Sequence, residues 1–179
     1  MAVKVSEMVD ALSMGGMEMK GYYDRQKDEL MWVGDDQVGR AEIEDDEEFE
    51  EAVRESPGWE EDLLRDARRV ILWENDASGT DNDAFVPLPD EWSIHMHSIM
   101  EDFVLTLPES EQQRRLWDSL HGPKAFRRFK DTVSHYDLRD AWNRYHDDRL
   151  AEIAREWAEE NNVPLVEDPP PTKRKKQNS

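Results

Sequence analysis

Residues 92–160 carry the pattern that most restricts the fold. Apolar side chains recur there at helical spacing in four consecutive stretches, separated by proline and glycine. The first, "DEWSIHMHSIMEDFVLTL", places Trp92, Met96, Ile99, Met100, Phe103 and Leu107 on one face. Pro108 opens the second, where Leu116, Trp117 and Leu120 form the stripe and Gly122 ends the helix. Pro123 opens the third, with Phe126, Phe129 and Val133 inward. The last, "DLRDAWNRYHDDRLAEIAREWAEEN", buries Leu138, Trp142, Leu150, Ile153 and Trp157. Four amphipathic helices joined by short turns bury their stripes only against one another or a neighbouring sheet, which predicts a helical bundle.

The first half reads differently. Ser6 is placed to cap a short helix carrying Met8, Val9 and Leu12, which Gly15-Gly16 ends. "MEMKGYYD" and "ELMWVG" are rich in β-formers and flank "RQKD", so they are read as a hairpin, although the turn has no Asn-Gly signal. From Asp35 to Asp62 there are fourteen acidic residues against Arg40 and Arg54. Such a run reads as a solvated face or acidic loop, with one short helix around Phe49 and Val53 before Pro57-Gly58. "WEEDLLRDARRVILWEND" is a clearer helix, with Leu63, Ala67, Val70, Ile71 and Glu74 in helical register and acids at its start. "ASGTDND" breaks it, and the prolines of "AFVPLP" hold that stretch extended.

The expected class is therefore α+β, mainly α: a short N-terminal helix and β-hairpin, then a C-terminal bundle of about four helices. The expected division is 1–34 for the helix and hairpin and 35–84 for an acidic segment with one helix. Residues 85–163 form the helical core, and 164–179 a flexible Pro/Lys-rich tail.

Of the 179 residues, 37% are hydrophobic and 37% charged, with no cysteine and a net charge of −20. The missing cysteines exclude disulfides, thiolate zinc sites and a cysteine nucleophile. No apolar run approaches the roughly 20 residues that span a bilayer, and the start lacks a secretory signal. The expectation is a soluble, cytoplasmic protein without membrane contact. A field of this sign repels phosphates, so direct nucleic-acid binding is not expected. The same acidity suits solubility, a basic partner or mimicry of nucleic acid, and these alternatives stay open.

The order of motifs in the second half is specific. An extended "FVPLP" leads into "IMEDF", then a Gly-Pro-bounded "AFRRFKD", then "DAWNRYHDDRLAEIAREWAEENNV". This series resembles the bacterial proteins grouped as uncharacterised protein family 0158, over roughly residues 3 to 165. The resemblance implies an α+β fold in a bacterial cytosolic setting. It carries over no catalytic residue. The acidic middle, "ASGTDND" and "PPPTKRKKQNS" are read as departures from the family pattern.

Little in the sequence points to catalysis. His95 and His97 fall about 200° apart round a helix and cannot share a metal. His121, His135 and His146 lack ligands at metal spacing, so neither metal nor cofactor is expected. No nucleophile elbow, phosphate loop or dinucleotide fingerprint occurs, and no catalytic residue is assigned. The positive signal is "HGPKAFRRFKD". Between Arg114 and Lys130 six basic residues stand against Asp118 alone, and Lys124, Arg127, Arg128 and Lys130 interleave with Phe126 and Phe129. Lys124, Arg127 and Lys130, each three apart, form a ridge, and Lys124 sits in the first turn, where free amides favour an anion. These four residues are the candidate anion- or partner-binding site, set against internal pairing with the chain's own acids. Trp142 and Tyr145 are candidate stacking faces. The leading reading is a non-enzymatic binding or adaptor module for a protein partner, using an acidic surface and this basic-aromatic helix. The alternatives are a regulatory protein for a nucleotide or other phosphorylated small molecule, or an acidic nucleic-acid mimic.

Overall fold

The computed structural model describes residues 2–14, 19–76, 83–90 and 94–168. Its centre is the expected hairpin. Strands β2 (Met19–Asp24) and β3 (Glu29–Gly34) pair antiparallel, with Tyr22 opposite Met31 and Asp24 opposite Glu29. The turn lacks Asn-Gly because a side chain organises it. The buried Asp24 carboxylate accepts the amides of Gln26 (2.8 Å) and Lys27 (3.1 Å), and Asp28 takes a left-handed φ of 57°. The proline-held stretch becomes β4 (Phe85–Pro87) on the other edge of β2, giving the order β3-β2-β4.

Alternation along these strands makes the sheet a middle layer. Tyr22 and Phe85 point to one side and pack with Phe49, Val53, Leu64 and Val70. Tyr23 and Val86 point to the other and join the larger core of Met8, Phe103, Leu116, Phe129 and Leu150. On the first side lie α2 (Asp35–Ala41), α3 (Asp46–Arg54) and α4 (Glu61–Asn75). On the second lie α1 (Val5–Ser13), α5 (Met96–Thr106), α6 (Glu111–Ser119), α7 (Ala125–His135) and α8 (Arg139–Glu160).

The α+β, mainly α class holds, with eight helices among the described residues. Several local expectations do not. Residues 35–84 contain three helices: α3 and α4 match the short helix around Phe49 and the clearer one after it, and α2 is additional. Asp45 caps α3 by accepting the amides of Glu47 and Glu48, and Phe49 and Val53 are buried, so this acidic stretch is ordered. On α4 Ala67, Val70 and Ile71 are buried as expected, but Leu64 takes the inward place expected of Leu63, which is 40% exposed. Helix α1 begins after Lys4, whose amide donates to Glu7. Ser6 lies inside the first turn and is not the cap. Gly15-Gly16, Trp92 and most of "ASGTDND" lie outside the described residues.

Residues 165–168, expected in the flexible tail, are held in place, and residues 169–179 of that expected tail lie outside the described residues. Strand β5 (Leu165–Val166) pairs in parallel with β1 (Val3–Lys4), and Ser6 donates both its amide and its hydroxyl to the Asp168 carboxylate. Arg155 donates to Glu167 at 2.7 Å in the same clasp.

Candidate functional site

The basic segment forms the corner where α6 gives way to α7. Ser110, two residues after the expected start at Pro108, caps α6 by accepting the amide of Gln113 at 3.2 Å. Beyond α6 the chain reverses through Gly122 (φ 92°) and Lys124 (φ 58°). Helix α7 therefore starts at Ala125, with Lys124 as the exposed residue before its first turn rather than within it. Phe129 anchors α7 in the core, edge-on to Trp142 (4.9 Å between ring centres) and Phe103 (6.3 Å).

The four candidate cations have different duties. Arg128 donates to the carbonyls of His121 (2.7 Å) and Asp118 (3.2 Å), filling acceptors left open where α6 ends. It clamps the corner. The Lys130 ammonium lies 4.3 Å from the centre of the Phe126 ring. Phe126 is 45% exposed, contrary to its expected inward place. It stands in the first turn of α7, before the stretch of helix that Phe129 and Val133 hold against the core. Arg127 and Lys124 are exposed. None of the four pairs with a carboxylate among the described residues.

The stacking candidates do not join them. Trp142 is 6% exposed, enclosed by Phe103, Phe129 and His146, because its position falls on the buried stripe of α8. It offers no free face. Tyr145 is half-buried against Phe103, and its burial, reinforced by the charge of Asp102, raises the phenol pKa.

One further cation is brought in by the fold. Arg139 opens α8 and reaches back across the turn to donate to Ser134 Oγ at 3.1 Å. Arg127, Lys130 and Ser134 follow i, i+3, i+7 spacing, so the Arg139 guanidinium supplies the third charge of a ridge along α7. The clue in the sequence is the short interval between α7 and α8, which returns Arg139 to the end of the preceding helix. Alongside this ridge, between α6 and α7, lies an open groove of about 440 Å³ lined by Arg115, Asp131, Thr132, His135 and Tyr136.

Several arginines elsewhere are paired with carboxylates. Arg40 pairs with Glu60 (2.9 Å), Arg65 with Glu50 (2.6 Å), Arg68 with Asp46 (2.5 Å), Arg69 with Asp24 (2.6 Å) and Arg155 with Glu167 (2.7 Å). No group of three potential metal ligands occurs among the described residues, and no described helix is long and apolar enough to cross a membrane.

The model of the uncharacterised protein family UPF0158 matches residues 75–176. The chain belongs to UPF0158. A UPF0158 protein of Pseudomonas aeruginosa is 33% identical over 66 residues, 36% of this chain and 43% of that protein, so the match spans less than half of the relative's length. No solved structure matches the chain. The UPF0158 match takes in α5 to α8, and with them the whole basic ridge, while α2 and α3 fall outside it. It also runs through "ASGTDND" and on to residue 176, two stretches that read as departures from the family.

Proposed function

We propose that this UPF0158 chain is a non-enzymatic binding module whose α7 ridge holds a carboxylate-bearing partner. One observation carries the reading. In a chain of net charge −20, Arg127, Lys130 and Arg139 line one helix without a carboxylate partner among the described residues, while five arginines elsewhere are paired. Exposed cations beside an exposed aromatic ring suit a protein interface, where arginine and aromatic side chains concentrate binding energy. Of the two stacking candidates on which the nucleotide reading relied, Trp142 is buried in the core and Tyr145 is half-buried, which favours the protein-partner reading.

The test is calorimetric titration of the full chain with a short polyglutamate peptide at low and physiological salt. Saturable binding that weakens with salt and disappears in Arg127→Glu/Lys130→Glu supports the ridge. Absence of binding at both salt levels, or equal binding by the variant, overturns it. A stabilising thermal shift with nucleotides but not with the peptide transfers the site to phosphorylated ligands.

A further inference from the structure

Helix α3 carries a ridge of the opposite sign. Glu48, Glu51 and Glu55 stand at i, i+3, i+7, with Glu47 beside them. All four are exposed and outside any ion pair among the described residues. Arg54, the only cation in the α3 sequence, donates to the Glu50 carbonyl at 3.2 Å. The spacing of carboxylates on α3 thus repeats that of Arg127, Lys130 and Ser134-bound Arg139 on α7, and each ridge runs about 10 Å along its helix.

We infer that the α7 ridge docks on the α3 ridge of a second copy of this chain, with the two helices antiparallel. This rests on the binding role proposed for α7 and names its occupant. Antiparallel docking sets Arg127 opposite Glu55 and Arg139 opposite Glu48, with Lys130 about 1.5 Å along the axis from the level of Glu51. It brings the N-terminal end of α7 to the C-terminal end of α3, so the helix dipoles attract. Phe126, 45% exposed beside Lys130, flanks the Arg127 end of the ridge and is covered when that end meets Glu55. Asp131 is the acid nearest the α7 ridge in sequence. Four residues after Arg127, it borders the ridge and lines the groove with His135 and Thr132; it forms no ion pair among the described residues, so three cations stand against this one acid.

Copies of net charge −20 repel at a distance, but at physiological salt that repulsion is screened beyond about 8 Å, whereas ridge charges in contact are not. Association is therefore expected near 0.15 M salt and lost near 1 M, where screening reaches about 3 Å.

Sedimentation velocity of the full chain across a concentration series reads this directly. The wild type is expected to associate with rising concentration, while Arg127→Glu/Lys130→Glu and Glu51→Lys/Glu55→Lys each stay monomeric with unchanged circular dichroism. Mixing the two variants is expected to restore association, because each supplies the ridge the other lacks. A monomeric wild type, association in either variant, or a mixture that stays monomeric overturns the assignment. A monomer that still binds polyglutamate through Arg127 refutes only the second copy and leaves the binding role standing. A monomer that binds a single-stranded oligonucleotide there instead refutes the carboxylate partner as well.

Discussion

Replacing Arg69 by alanine tests how α4 is tied to the sheet. The Arg69 guanidinium donates to the Asp24 carboxylate at 2.6 Å and to Asp66 at 3.1 Å, and lies 5.0 Å from the Phe85 ring centre. Asp24 is fully buried, so the variant leaves a carboxylate in the protein interior without its charge partner. Breaking a buried pair costs about 3–5 kcal/mol. Two features lower that figure: the amides of Gln26 and Lys27 still donate to Asp24, and the Arg69 side chain is 31% exposed. The expected loss is about 2–3 kcal/mol, or about 5–10 °C in melting temperature for a chain of this length. Burial alone would raise the Asp24 pKa, but the hydrogen bonds from Arg69, Lys27 and Gln26 outweigh it and hold the carboxyl below its ordinary range. A depressed carboxyl contributes its full stability above the unfolded pKa, about 4, and loses it as pH falls through the folded value. Urea denaturation should therefore show the full gap between wild type and Arg69→Ala at pH 5 to 7, narrowing progressively below pH 4. A gap under about 0.5 kcal/mol at pH 7, within the range of ordinary surface substitutions, would refute the reasoning. So would a gap that does not change with pH.

Arg128→Met removes the clamp on the end of α6. It is expected to cost about 1 kcal/mol in urea denaturation while leaving polyglutamate binding intact, the reverse of the result for Arg127→Glu. Phe129→Ala empties the centre of an aromatic cluster and is expected to cost about 3–5 kcal/mol by the same measurement. Asp168→Asn weakens the clasp between the chain's ends, and hydrogen exchange should show faster exchange at the Ser6 amide with no change in α7. The hydroxyl of Ser6 holds the Asp168 pKa below its ordinary value, so the wild-type clasp is present at neutral pH and lost as pH falls through that depressed value. Arg68→Ala is expected to raise exchange across residues 46–54 while α7 stays protected. Equal loss in both helices would refute Arg68 as a local anchor.

The bundle was legible because its signals are local. Helical periodicity, Pro108 and the Gly122-Pro123 break lie within one or two turns of the residues they organise, and α5 to α8 follow them. Where a helix end decides exposure, periodicity misleads: Phe126 shares the phase of Phe129 yet overhangs the core. Helix α3 was legible only from the spacing of Phe49 and Val53, and what fixes it in place was not. Its composition reads as solvated, and the groups that hold it come from distant sequence. Arg68 donates to the carbonyl of Ile43 (2.5 Å) and to Asp46 and lies 4.2 Å from the Phe49 ring centre, while Arg65 grips Glu50. For Arg139 the one local clue is the short interval between α7 and α8; that its guanidinium meets Ser134 depends on the direction of the turn between them.

That anchoring bears on why so acidic a helix is ordered. Like charges at i, i+4, such as Glu47 with Glu51 and Glu51 with Glu55, each destabilise a helix by about 0.2–0.5 kcal/mol. A chain that needed only solubility gains it equally from acids in a loop, where they stay farther apart. Here the repulsion is offset by the Asp45 cap and by burial of Phe49 and Val53, while Arg65 and Arg68 neutralise Glu50 and Asp46 from α4. Those two arginines leave Glu48, Glu51 and Glu55 unpaired among the described residues. The result is a row of carboxylates at fixed spacing on a docked helix, in the same chain as a row of cations at that spacing. Holding charges of one sign in a row costs stability, and within this chain the cap, the two buried side chains and the two arginines of α4 are what offset that cost.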